Sequence, residues 1–348
     1  MYEAIGLMSG TSMDGLDICH ASFEKNTGGT WNYQILNAET IPYSPTWEKQ
    51  LRNAIHLSSE DLLALHTAYG FFLGETTKAF IDRHQLTDID VVSSHGHTVF
   101  HQPQRKFTLQ IGDGRAIKIV NKIPVVYDFR SQDVLLGGNG APLVPIGDEL
   151  IFSEFDACLN IGGFSNISFK KDGQRIGFDI CPVNIVLNAL SQKLGKTYDE
   201  NGSFARTGVV DEEMLSILNS LNYYQQDAPK SLGIEWVMQN ISPLWSDDSA
   251  ANHLATFTEH AAHQIAETLN RHQFRNVLFT GGGTYNSYLV ECIEAKTSAE
   301  IIIPDNPVIN YKEALIFALM GVLRMNNEIN VLASATGSLA DHCSGLLV

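Results

Sequence analysis

The chain is poor in cysteine and in basic residues, and it has no long apolar run. Its five cysteines, Cys19, Cys158, Cys181, Cys292 and Cys343, are odd in number and form no CxxC pair. That excludes a disulfide framework and a cysteine zinc site, and it points to the reduced thiols of a cytoplasmic protein. Lysine and arginine number 23 against 39 aspartates and glutamates, a formal net charge of −16. Nucleic acid and anionic membranes both need basic footprints, so neither is an expected partner. No basic start precedes an apolar run of signal-peptide length, and no apolar stretch approaches the ~20 residues of a membrane span. We therefore expect a protein neither exported by such a signal nor embedded in a bilayer. An acidic chain that binds a phosphorylated ligand must do so locally, with backbone amides and a metal ion.

What is present is ordinary globular material: 348 residues, 44% hydrophobic and 18% charged, enough for two domains with separate cores. YEAIGLM, LDICHASF and WNYQILNAETIPY read as an antiparallel β-meander, after which residues 45 to 84 turn to helical spacing with Ser58 placed as an N-cap. Short strands follow in IDVVSSHGHTVF, FTLQIGD and IPVVYDF. A second pass with the same grammar begins near Asp156: DACLNIGGFSNISF, a turn at Lys171-Asp172-Gly173, another strand, then helices in PVNIVLNALSQKLG, ANHLATFTEHAAHQIAETLNRHQ and INYKEALIFALMGVLRMNN.

Four loops stand out: GLMSGTSMDGLD, NIGGFSN, GFDICPVN and FTGGGTYN. Gly, Ser and Asp are the common residues of any tight turn, and bare amides with hydroxyls and a carboxylate also suit phosphate and Mg²⁺. Two strand-turn-strand loops, one in each half, followed by a strand-GGG-helix loop, follow the plan of the sugar-kinase, actin and heat-shock-ATPase superfold. The expected fold class is α/β, a two-domain actin-like ATPase (ribonuclease H-like) fold with an inter-domain cleft. Domain I would take residues 1–130 with the tail 321–348, and domain II residues 131–320.

MSGTSMDGLD, SHGHTVFH, QIGDG, DFR, GGNGAPLVP, LNIGGFSNIS, PKSLGIE, TGGGTYN and KEALIFA occur in the order found in anhydro-N-acetylmuramic acid kinases, and the chain resembles that family from about residue 5 to about residue 320. The resemblance implies an ATP-dependent kinase that opens the 1,6-anhydro bridge with water while phosphorylating O6, a Mg²⁺ ion, and a homodimer. In this plan the hairpin residues Ser9, Gly10, Thr11, Ser12, Met13, Asp14, Gly15, Leu16 and Asp17, with Gly162 and Gly163 opposite, pinch the phosphates. Gly281, Gly282 and Gly283 face the adenosine. Asp14 supports the Mg²⁺ water shell; Asp17 is alternatively a strand-face residue.

Asp179 stands where the family has its catalytic Asp and would be the general base for the attacking water; capping the following helix is the alternative role. Here the family pattern DTGPGN becomes DICPVN, with Cys181 and Val183 in place of glycines. His95, His97 and His101 lack the carboxylate or cysteine set that would suggest a metal centre; in the family this segment lines the sugar pocket, which makes His95 and Thr98 partners of the amino sugar. Arg130 can fork onto the lactyl carboxylate of a muramic sugar, or pair with Asp128 or Asp133. Glu313 matches a family position near the sugar and otherwise sits on a solvated helix face. A hydrolase using Asp179 without nucleotide, or a non-catalytic sugar-binding regulator of the same superfold, are the competing readings.

Overall fold

The computed structural model describes every residue except Thr11, Ser12, Asp14, Pro229 and residues 246–248. Three of the expected phosphate and metal contacts, Thr11, Ser12 and Asp14, therefore lie outside the described residues. The chain divides into two compact units, Met1–Ser153 with Tyr311–Val348, and Glu154–Asn310.

Unit 1 is built on β1 (Tyr2–Ser9), β2 (Gly15–Lys25), β3 (Trp31–Pro42), β4 (Val91–Ser94), β5 (His97–Gln102), β6 (Phe107–Ile111) and β7 (Val125–Tyr127). In unit 2 follow β8 (Ala157–Ile161), β9 (Phe164–Lys171), β10 (Gln174–Pro182), β11 (Asn276–Thr280) and β12 (Glu300–Ile302), and the C-terminal β13 (Leu346–Leu347) returns to unit 1. The sheet of unit 1 has the order β13-β7-β4-β1-β2-β3, and that of unit 2 the order β10-β9-β8-β11-β12. In each unit the first three strands are an antiparallel meander, and two further strands join parallel to the first strand's other edge. The two halves thus share one plan, the grammar read from the alternating apolar residues, and the α/β class is as expected.

Two helices interrupted near Ser58 occupy the stretch expected to be helical: Pro45–Asn53 and Ser59–His84, the latter capped by the Ser58 hydroxyl accepting the Asp61 N–H. Tyr69, Leu73 and Phe80 of that helix bury against Ile5, Leu7, Ile18 and Val92. In unit 2 the helix Ala250–Arg271 lays Phe257, Ala261 and Ile265 onto Leu159, Ile167 and Phe279. Among the described residues no helix is long and apolar enough to cross a membrane.

The unit boundaries differ from the 130/131 and 320/321 positions read from sequence. Residues after 130 stay with unit 1 because the fully buried Asp133 carboxylate accepts the Thr336 hydroxyl at 2.7 Å, while the Asn139 N–H donates to the Thr336 carbonyl at 2.8 Å. Gly147 also lies so near Ile316 that a Cβ would come within 2.3 Å of it. These partners lie between 169 and 203 positions apart in the chain, so local composition carries no sign of them.

Candidate active site

The end of β4 and the start of β5 carry the histidine cluster, and each ring has its own partner. His95 Nδ1 donates to the Gly96 carbonyl at 2.8 Å, which leaves Nε2 to accept from Arg130 Nε at 2.9 Å. An arginine only donates, so His95 is held neutral; burial and the Arg130 charge keep its pKa well below the usual range. His97 Nδ1 bonds the Ser9 hydroxyl at 3.0 Å, and burial drops its pKa to about 4. Tyr43 donates to Ser9 at 2.8 Å and also bonds Tyr69 at 2.6 Å. His101 bonds the Thr108 hydroxyl at 3.3 Å. Among the described residues no group of three His, Cys, Asp or Glu is placed to hold a metal ion.

This network bears on the first glycine-rich loop. The Ser9 side chain is buried and occupied by His97 and Tyr43, so at that position the strand end can offer a ligand backbone only. Leu16 packs into the core of unit 1 and pairs in the ladder with Ser9 and Ile41. Gly15 lies so close to β3 that a Cβ would stand 2.7 Å from the Ile41 carbonyl oxygen. The Asp17 carboxylate accepts the Thr40 hydroxyl at 2.6 Å. Gly10 and Met13 stay partly accessible, Met13 with a left-handed φ of 58°.

Arg130 is half-buried, and among the described residues it forms no ion pair within 4 Å with either Asp128 or Asp133. Asp128 instead accepts from Ser131, and Asp133 accepts the Gly140 N–H at 2.6 Å. The Gly140 carbonyl in turn accepts Arg130 Nη1 at 2.9 Å. With Nε on His95 and Nη1 on Gly140, Nη2 is the guanidinium nitrogen without a partner among the described residues. Burial lowers the Arg130 pKa to about 10, with Glu313 and Asp133 acting in the opposite sense. Glu313 is exposed on the helix Asn306–Met325, with the charges of Arg130 and Lys312 favouring its ionised form. Gly6 seats that helix: a Cβ there would fall 1.8 Å from the Ala314 carbonyl oxygen. Thr98, half-buried on β5, accepts from Gln110 at 3.2 Å.

In unit 2 Asp179 sits on β10 immediately before a β-bulge. Its N–H donates to the Lys230 carbonyl, its carbonyl accepts the Tyr223 hydroxyl at 2.6 Å, and its Oδ2 accepts the Leu232 N–H at 2.9 Å. Oδ1 has no hydrogen-bond partner among the described residues. Burial raises the carboxyl pKa, with the Leu232 N–H pulling it partway back. Lys230 and Leu232, in the PKSLGIE stretch, therefore aim the carboxylate, a role the sequence alone did not reveal. Helix capping is not what Asp179 does, since the N-cap of Asn184–Gln192 is Val183 and the N–H groups of Asn184 and Ile185 donate to the carbonyls of Gly162 and Gly163.

The bulge turns Cys181 and Val183 into the core of unit 2, where both are fully buried. The Cys181 thiol lies 3.2 Å from the Ser165 hydroxyl, and burial raises its pKa to about 12. The two departures from the family pattern are thus packing residues. Substituting Cys181→Gly together with Val183→Gly should cost on the order of 4 kcal/mol in a denaturant melt, with no gain in turnover. A double variant as stable as the parent and faster would show instead that these side chains tune the site.

The TGGG turn lies beside the NIGG strand end. Gly281, at φ +85°, and Gly283 are required by packing, since added Cβ atoms would stand 2.5 Å from Asn160 Oδ1 and 2.2 Å from Ile161 Cγ2. Gly282 is different: a Cβ would meet nothing within 4 Å. Gly162 and Gly163 have room as well, at 3.4 and 3.8 Å from their nearest neighbours. Internal packing does not explain why these three positions are bare, whereas a flat ligand lying on the backbone would.

A sheet plan used twice, with glycine turns at the strand ends, is that of the actin-like ATPases. Sequence comparison narrows the class: residues 2–347 match the family model described as anhydro-N-acetylmuramic acid kinase, and the chain belongs to that family. It is 33% identical to the anhydro-N-acetylmuramic acid kinase of Legionella pneumophila (strain Paris), over 96% of this chain and 94% of the relative. It is 34% identical to that of Aliivibrio fischeri (strain ATCC 700601 / ES114), over 84% of each. Among solved structures it is similar to the Acidaminococcus fermentans (R)-2-hydroxyglutaryl-CoA dehydratase component A, at a TM-score of 0.46 and 12% identity, over 92% of this chain and 98% of that one. The chain is accordingly an ATP-dependent sugar kinase of cell-wall recycling.

Proposed function

We propose that Asp179 is the general base of this kinase. Its carboxylate takes a proton from the water that attacks C1 of 1,6-anhydro-N-acetylmuramic acid. The C1–O6 bond breaks, O6 bonds the γ-phosphorus of ATP, and ADP leaves with the electron pair of the cleaved phosphoanhydride. The observation that carries this reading is the aimed, half-buried carboxylate, with Oδ2 on the Leu232 N–H and its pKa raised by desolvation, since a base works best when its pKa lies nearer the working pH. Turnover in oxygen-18-labelled water tests it: the label should appear at C1 of a ring-opened 6-phosphate and not in the phosphate. Label in released inorganic phosphate, without sugar product, would mark a simple ATPase.

Arg130 is assigned to the lactyl carboxylate, His95, Thr98 and Glu313 to the sugar, and Gly282, Gly162 and Gly163 to the nucleotide. Mg²⁺, when bound, neutralises the β- and γ-phosphates; it commonly needs only one or two protein carboxylates beside phosphate and water. We assign its water shell to Asp14. We also take the protein to be a cytoplasmic homodimer, which light scattering on the purified chain would test as a mass twice that of one chain.

Gly282 separates the roles of fold and ligand. Gly282→Ala should leave stability unchanged or raise it by up to about 1 kcal/mol, while raising KM for ATP roughly tenfold by placing a methyl where the nucleotide lies. Gly283→Ala should instead lower the melting temperature, because its Cβ meets Ile161. An unchanged KM in Gly282→Ala would remove this turn from the nucleotide site.

A further inference from the structure

Unit 2 contains a cavity of about 290 Å³ on the face of β10 that carries Ile176, Phe178 and Ile180. Successive side chains of a strand leave opposite faces, so the Asp179 carboxylate, between Phe178 and Ile180, points away from it. The cavity's aromatic part joins Phe169 to Phe178 at 6.2 Å and to His272 at 4.5 Å between ring centroids. Around it stand the cations Lys171, Lys230 and Arg271 and the carboxylates Asp227 and Glu267. Arg271 is paired with Glu267 at 2.9 Å, but among the described residues neither Lys171 nor Lys230 has a carboxylate within ion-pair distance. Lys230 Nζ donates to the Tyr223 carbonyl at 3.3 Å and lies over the Phe178 and Tyr223 rings at 5.5 and 4.7 Å. Burial and Arg271 lower its pKa against the opposing pull of Asp227 and Glu267; Glu267 is the carboxylate already paired with Arg271.

We propose that this cavity is a regulatory site for a small organic anion, a phosphate or carboxylate on a flat apolar body of about one ring. Its volume lies at the small end of ligand pockets; the rings supply the apolar contact and the two ammonium groups the counter-charge. The link to catalysis rests on the reading of Asp179 as base. Lys230 is the residue whose carbonyl accepts the Asp179 N–H, and Leu232, two residues on, holds Oδ2. An anion that draws the Lys230 ammonium inward shifts the segment that aims the carboxylate.

Phenyl phosphate is the probe, with inorganic phosphate as the control lacking a ring. Binding is read by calorimetry and by the emission of Trp236, whose ring lies 6.0 Å from that of Tyr224 in the cavity wall. Phenyl phosphate should bind saturably and inorganic phosphate more weakly. Lys171→Glu, at an exposed position, should weaken phenyl phosphate roughly tenfold with basal turnover unchanged. Saturating phenyl phosphate should change kcat while leaving both KM values alone. No binding at millimolar concentration, binding insensitive to Lys171→Glu, competition by ATP or the anhydro sugar, or binding without a change in kcat would each overturn the proposal. Because binding is measured without turnover, it stands apart from the base assignment: an active Asp179→Asn enzyme that still binds phenyl phosphate through Lys171 would refute the base and the coupling, and leave the anion site.

Discussion

Asp179→Asn should reduce sugar-dependent ADP release by about 10³-fold, within the range that a positioned general base contributes, while ATP binding and melting temperature stay near the parent's. The amide is isosteric and keeps an oxygen for the Leu232 N–H, and the backbone bonds to Lys230 and Tyr223 do not involve the side chain. What is lost is the ability to accept the water's proton. The pH profile carries a second signature. Burial disfavours the carboxylate and raises its pKa, so the parent's kcat/KM should rise with pH through an inflection above the ordinary carboxylate range, as the base becomes charged. That rise should vanish in Asp179→Asn. Sugar-dependent ADP release within tenfold of the parent would remove Asp179 from the role and direct attention to Glu313, the other carboxylate assigned to the sugar.

How much of this could be read from the chain depends on how far apart the interacting residues are. The meanders, the Ser58 cap and the helix Ala250–Arg271 follow from local alternation and spacing, and they were legible. The repetition of one sheet plan was legible in the order of the glycine turns, though not in their letters. What was hidden depends on distant partners. Ser9 looked like a phosphate contact because its neighbours are small and polar, yet its hydroxyl is bound by Tyr43 and by His97, 88 residues away. Cys181 and Val183 stand where the family has glycines, and alternation could not show that both side chains turn into the core beyond the bulge. Asp133 read only as a surface partner for Arg130, whereas it is fully buried and anchors the Gly140 amide beside Arg130. Of the glycines, only added-atom geometry separates Gly281 and Gly283, which the fold requires, from Gly282, which it does not.

Arg130→Met should abolish discrimination in favour of the lactyl sugar. Against 1,6-anhydro-N-acetylmuramic acid, loss of a charge-assisted contact worth about 1.5–3 kcal/mol should lower kcat/KM by roughly 10- to 150-fold. Against 1,6-anhydro-N-acetylglucosamine, which has no carboxylate, the same variant should lose far less, so the ratio of the two substrates is the diagnostic. The ratio is needed because Arg130 has structural work as well: it donates to His95 and to Gly140, and its charge favours the ionised form of Glu313. Removing it leaves two acceptors unmatched and leaves Lys312 as the cation acting on Glu313, which should lower stability and reduce turnover of both sugars by a common factor. A common factor alone would make Arg130 a brace for the histidine strand end. An additional loss confined to the lactyl sugar requires the guanidinium to meet the substrate. Arg130→Lys sharpens the distinction, since one ammonium keeps the positive charge near Glu313 but cannot hold His95 and Gly140 while offering a carboxylate two parallel donors. It should recover part of the stability and little of the preference.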